Sequence, residues 1–114
     1  MSSNVIENKR FNFAVRIVNL YKHLTNEKKE FVISKQLLRS GTSIGANVAE
    51  AQRAQTKPDF HTKMSVAVKD AGDTQYWIRL LHKTEYLTDK EFESLNDDIS
   101  EILSLLIAIC KSSK

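Results

Sequence analysis

The stretch Gln36-Leu-Leu-Arg-Ser-Gly-Thr-Ser-Ile-Gly-Ala-Asn-Val-Ala-Glu-Ala51 reads as one uninterrupted helix with an unusual polar stripe. Gln36, Ser40, Ser43, Asn47 and Glu50 recur at steps of four and three, so they share one face. A solvated helix face is normally rich in Lys and Glu. This one is mostly small and uncharged, and Gly41 and Gly45 lie beside it. Each glycine costs a helix roughly 1 kcal/mol against alanine, so the pair predicts a close contact that offsets the loss.

Working outward, the periodicity predicts four helices. The first spans about Glu7 to Leu24, with Phe11, Val15, Val18 and Tyr21 on one apolar line and Ala14, Ile17, Leu20 and Leu24 on the next. Thr25 and Asn26 then interrupt it, and either can cap the second helix, expected from about Glu27 to Arg53. That helix carries a seam of Leu37, Gly41, Ile44, Val48 and Ala51 beside a second of Phe31, Leu38, Thr42, Gly45 and Ala49. Its span of about 27 residues corresponds to roughly 40 Å, and its Gly/Ser content predicts a bend near Gly41 to Gly45.

Thr56-Lys-Pro-Asp59 opens the third helix, with Thr56 as cap, Asp59 reaching back as the capping-box acid and Pro58 in the first turn. Phe60, Met64, Ala67, Ala71, Ile78 and Leu81 should face the core, with Tyr76, Trp77 and Leu80 adding apolar surface to one side. A second box, Thr88-Asp-Lys-Glu91, opens the fourth helix, whose core line is Phe92, Leu95, Ile99, Ile102, Leu106 and Cys110. Leu103, Leu105, Ile107 and Ile109 extend apolar character around nearly its whole circumference, which predicts burial on all sides. The expected fold is all-α: one domain over residues 1–114, an antiparallel up-down-up-down four-helix bundle. The apolar surplus on the last two helices, with the small-residue face of the second, predicts a homo-oligomer.

Composition agrees with long helices. The 114 residues include three glycines and one proline, which leaves room for only a handful of turns. The single cysteine, Cys110, excludes an internal disulfide, fits a reducing compartment and reads as a small buried hydrophobe. The opening Met1–Glu7 has no apolar signal region, and the longest apolar run, Ile102 to Cys110, is interrupted by Ser104. A cytoplasmic protein with no membrane contact is expected. The net charge of +3 is unevenly spread: residues 1–84 hold 14 Lys/Arg against 7 Asp/Glu, and residues 85–114 hold 3 against 7. A basic body with an acidic last helix suits polyanion binding, and equally suits pairing between helices or subunits.

Gln36-Leu-Leu-Arg39-Ser40, Ser43-Ile44 and Ala46-Asn47-Val48-Ala49-Glu50 resemble the signature of a bacterial four-helix-bundle family. That family was first noted in intervening sequences of large-subunit ribosomal RNA genes. Arg53, Phe60 and Val68-Lys-Asp-Ala71 continue the likeness, and Tyr76-Trp-Ile-Arg-Leu-Leu81 is similar to the Tyr-Trp-Leu segment of one branch. The chain departs from the pattern at Gly45, where proline is frequent, and at Ala51, where glycine is usual. The resemblance implies a ring-like homo-oligomer, a pentamer. It also implies kinship with the accessory variability determinant of diversity-generating retroelements, a basic pentameric barrel that binds nucleic acid and a reverse transcriptase. For most members of the family the activity is unassigned.

Three functional readings follow. The first is a non-enzymatic oligomer that binds RNA or other nucleic acid through backbone phosphates, using Lys9, Arg10, Arg16, Arg39, Arg53, Lys57 and Lys63. Arg39 and Arg53 come from the family motif and the rest from composition; Arg53 can equally pair with Glu50 three positions earlier. The second is a ribonuclease with His23 as acid/base and Arg16 stabilising charge. Their six-residue separation is similar to the Arg-x4–6-His motif of the higher-eukaryote-and-prokaryote nucleotide-binding helical domains, although Ile17 stands where that motif is polar and the motif falls in the first helix. The third is a scaffold for a partner protein, whose basic segment would meet Glu91, Glu93, Asp97, Asp98 and Glu101.

Ser40, Ser43, Asn47 and Glu50 are assigned to packing between helices or subunits, as are Trp77, Leu80, Leu105 and Ile109. No cofactor or metal is expected. His23, His61 and His82 are far apart in sequence, and Asp70 and Asp73 without a histidine make a weak ligand pair.

Overall fold

In the computed structural model, residues 2–113 are described, with side-chain placement from Glu7 onward. Four helices and no strands are present among them: α1 (Ser2–Asn26), α2 (Ile33–Gln52), α3 (Lys57–Lys83) and α4 (Asp89–Ser112). Contacts run from α1 to α2, α2 to α3, α3 to α4 and back from α4 to α1, so the helices surround one shared core. That core is built from Phe13, Ile17 and Leu24 of α1, Leu37, Ile44 and Val48 of α2, Met64, Ile78 and Leu81 of α3, and Leu95, Ile99, Ile102 and Leu106 of α4. The envelope measures 44 × 21 × 20 Å.

The first helix is rotated from the expected setting. Phe13 is 2% exposed, whereas Phe11 and Val15 are 68% and 45% exposed, so the line through Phe11 and Val15 points away from the core. Two apolar stripes competed for the interior. Ile17 and Leu24 pack with Phe13, placing Phe11 and Val15 on the outer surface.

The second helix begins later than its pattern suggested. Lys29 adopts a left-handed backbone (φ 56), and the Glu30 amide returns to the Leu24 carbonyl at 2.9 Å, ending α1. Thr25 and Asn26 therefore do not cap α2, and Thr25 Oγ1 donates back to the Tyr21 carbonyl. The cap is Glu30, a residue the pattern did not reveal. Its carboxylate accepts from the amides of Val32 (3.1 Å), Ile33 (2.9 Å) and Ser34 (2.6 Å). Phe31 consequently lies outside the helix and is exposed.

The remaining boundaries follow local chemistry. Thr56 Oγ1 accepts from the Asp59 amide and Pro58 occupies the first turn of α3, but the return bond expected from Asp59 is not formed. Thr88 and Glu91 complete both halves of their capping box. At the end of α3, the Tyr86 amide bonds to the Leu81 carbonyl and the Glu85 amide to that of His82, with Glu85 left-handed at φ 70. That is the Schellman arrangement, with a glutamate where glycine is usual.

The two glycines of α2 sit where the expected close contacts occur. A Cβ on Gly41 would lie 2.9 Å from Ile17 Cγ2, and one on Gly45 would lie 3.3 Å from Arg10 Nη1. Helix α1 thus packs directly on the α2 backbone. Cys110 is half-buried rather than enclosed, with Sγ 3.3 Å from Ser65 Oγ and 3.7 Å from His61 Nδ1.

Candidate functional site

The polar stripe of α2 meets α3 along one groove of about 390 Å³. Ser40 is buried and accepts from Thr74 Oγ1 at 2.9 Å, and Asn47 Nδ2 donates to Asp70 Oδ2 at 2.7 Å. Glu50 reaches Lys63 at 3.2 Å, while Ser43 donates to the Arg39 carbonyl of its own helix. Above these bridges the groove is walled by Gln36 and Arg39 on α2 and by Val66, Lys69, Asp73 and Trp77 on α3. Trp77 is half-buried and meets Tyr76 edge-on, with centroids 5.0 Å apart and planes at 75°, which fixes its ring.

Charge inside the groove is incompletely neutralised. Lys69 Nζ pairs with Asp73 Oδ2 at 3.2 Å, so Asp70 has the Asn47 amide as its only side-chain partner among the described residues. Desolvation pushes the Asp70 carboxyl above the ordinary aspartate range. The Asn47 hydrogen bond and the charges of Lys69 and Arg39 pull the other way without cancelling it. A raised acid favours the protonated fold, so its destabilising effect grows as pH rises through the interval between the ordinary value and the raised one. Asp70→Asn should therefore be more stable than the parent at neutral pH, with the difference disappearing below the ordinary aspartate pKa; paired urea melts at the two pH values check this.

The seven cations assigned to phosphate contact separate into two groups. Lys9 pairs with Glu101 at 2.8 Å, Arg16 with Asp98 at 2.6 Å and Ser94 Oγ at 3.0 Å, and Lys63 with Glu50. Arg10 lies across Gly45 and donates to its carbonyl at 2.8 Å, with Glu7 3.6 Å away. These four are engaged within the chain in this structure. Arg39, Arg53 and Lys57 are exposed and make no ion pair among the described residues. The Glu50–Arg53 pair expected from spacing is not formed. Arg53 has left the helix (φ −97, ψ 1), and Glu50 turns to Lys63 instead.

The acidic face of α4 is similarly consumed. Asp98 and Glu101 hold α1, and Glu91 closes its capping box, where the Thr88 amide draws its carboxyl below the usual range. Glu93 and Asp97 remain exposed. Because Asp98 occupies the Arg16 guanidinium, that arginine is already neutralised where a ribonuclease would need it for developing charge. Leu80 is half-buried beside Tyr76 in a second cleft, between α3 and α4. Leu105 and Ile109 are half-buried at four-residue steps beyond Glu101, on the side of α4 that faces α1. No cluster of three or more metal-ligating side chains occurs among the described residues. Among the described residues no helix is long and apolar enough to cross a membrane.

Fold and groove together define a class: a small all-α bundle whose marked feature is a polar seam between two helices. The description of the 23S rRNA-intervening sequence protein family matches residues 3–108, and the chain belongs to that family. It is also similar to a protein with unknown function from the S23 ribosomal protein family of Bacteroides thetaiotaomicron, known from a crystal structure. The two are 58% identical, the match covers 97% of this chain and 99% of that one, and the TM-score is 0.96. Comparison with curated proteins gives no match.

Proposed function

We propose that this chain is a non-enzymatic bundle protein that assembles with copies of itself and binds the phosphate backbone of nucleic acid, RNA foremost, through the surface of α2 and α3. The observation carrying the reading is the sorting of charge. Lys9 and Arg16 of α1 are spent on α4 and Arg10 on the Gly45 carbonyl, whereas Arg39 on α2, Arg53 just past its end and Lys57 at the start of α3 make no ion pair among the described residues. Unpaired cations release condensed counterions on meeting phosphates, which supplies affinity with little sequence preference.

An antiparallel up-down-up-down arrangement is supported by the pairings. Gly41 and Gly45 meet Ile17 and Arg10, Asn47 and Ser40 meet Asp70 and Thr74, and Ser65 and His82 meet Cys110 and Asp89, one number rising as the other falls. Assembly is supported by two separate apolar faces: Phe11 and Val15 on α1, and Tyr76, Leu80 and Ile107 on the α3–α4 side. Two different faces that meet each other make a head-to-tail contact, which closes into a ring when the rotation permits. A pentamer is the ring we infer, and the family resemblance is what selects that number.

Light scattering after size exclusion should give five times the 13.0 kDa of one chain, and a clean monomer would remove the assembly. Anisotropy with a labelled single-stranded RNA should show log affinity falling linearly with log salt, and reversing Arg39, Arg53 and Lys57 to Glu should flatten that slope. Absence of binding even in low salt would remove the nucleic-acid reading.

A further inference from the structure

We propose that the α2–α3 groove holds one unpaired guanine base of an RNA strand, stacked on Trp77, with Asp70 accepting from the base's N1–H and N2–H and Arg39 donating to its O6/N7 side. The inference rests on the nucleic-acid reading above and names what that surface recognises.

The groove differs in kind from the other cavities. The clefts between α3 and α4, of about 370 and 320 Å³, are predominantly apolar, lined in one case by Tyr76, Leu80 and Phe92 and in the other by Val68 and Ile107. The cavity at the end of the bundle mixes Glu85, Asp89 and Glu91 with His23, Lys28 and His82, and its Glu91 is already spent on the α4 capping box. The α2–α3 groove, about 390 Å³, falls in the size range of small-ligand pockets, roughly 300–1,000 Å³. It joins an unpaired guanidinium, an under-partnered carboxylate and an aromatic wall.

Each element restricts the ligand. Asp70 Oδ2 accepts the Asn47 amide, whereas Oδ1 has no hydrogen-bond partner among the described residues. Lys69 is held by Asp73, and its charge offsets only part of the Asp70 desolvation. A desolvated carboxylate with an open oxygen calls for hydrogen-bond donors, and guanine presents two adjacent donors on its Watson–Crick edge. Adenine, cytosine and uracil each alternate a donor with acceptors there and would leave carboxylate and acceptor face to face. Arginine pairs favourably with guanine O6 and N7, and Arg39 is the groove's unpaired cation among the described residues. The indole of Trp77, braced by Tyr76, supplies a flat surface of the kind on which unpaired bases stack.

Trp77 is the chain's single tryptophan, so its fluorescence reports on this groove alone. In the full-length protein, GMP should quench it saturably and at least tenfold more tightly than AMP, CMP or UMP. Asp70→Asn should erase that preference. Arg39→Gln, with its fold checked by circular dichroism, should weaken GMP quenching as a second test. Equal quenching by all four nucleotides, or none from GMP while labelled RNA still binds, would overturn the guanine pocket and leave the nucleic-acid reading standing. If acrylamide also failed to reach Trp77, a neighbouring subunit would be filling the groove, and the proposal would fall. Failure of both nucleotide and RNA to bind would end both.

Discussion

Gly41→Val should destabilise the bundle by about 2–3 kcal/mol, the cost of overpacking a filled interior. An added Cβ would lie 2.9 Å from Ile17 Cγ2 and 3.0 Å from Ile17 Cγ1, and Ile17 is wholly buried with no room to retreat. Valine's two further methyls worsen the clash, and the modest helix-propensity gain over glycine does not offset it. The control is Gly72→Ala. Nothing lies within 4 Å of that Cβ, so the same class of change should stabilise α3 by about 1 kcal/mol. Gly45→Ala should fall between them, because its nearest neighbour is the end of the Arg10 side chain, which can shift. Urea midpoints with unchanged m-values, compared at one protomer concentration, measure all three. A Gly41→Val protein as stable as the parent would show that α1 does not rest on the α2 backbone.

Glu30→Ala should cost about 2 kcal/mol, since it removes the acceptor of three amides at the start of α2. Burial by itself would raise the Glu30 carboxyl. The amides of Ile33, Ser34 and Val32, with the Ser34 hydroxyl, outweigh it and hold the group below the ordinary glutamate value of 4.5. A depressed acid contributes stability that is present in full above that ordinary value and is lost as pH falls through the lower folded one. The parent's advantage over Glu30→Gln should accordingly be constant at neutral pH and shrink on acidification below 4.5. Thermal or urea melts of the pair across that interval test it. A difference independent of pH would mean that the charge of Glu30 contributes nothing to the cap.

How far these features could be read from the sequence depends on their range. The α2 seam of Leu37, Gly41, Ile44, Val48 and Ala51 is buried throughout, because one period of 3.6 residues fixes which side chains share a face. Thr56 and Thr88 cap as read, because a cap is a contact over three residues. Glu30 escaped notice because it caps from inside a turn whose left-handed Lys29 carries no glycine to announce it. The groove was half visible. Ser40 and Asn47 marked the α2 side, but Asp70 looked like a weak carboxylate until Asn47 and the enclosing helices gave it a desolvated setting.

The sequence by itself determined the number of helices, the end of α2, the starts of α3 and α4, the core face of α2, α3 and α4, and the close approach signalled by Gly41, since all of these follow from periodicity and short-range hydrogen bonding. Tertiary structure alone decided which way α1 turns and which cations remain free. Arg16 and Asp98, or Lys9 and Glu101, are more than eighty positions apart, and they meet only because two helices settle at one rotation and one register. No local pattern encodes that choice. It is set by which apolar stripe of α1 fills the interior best, and the charge left over for a partner follows from it.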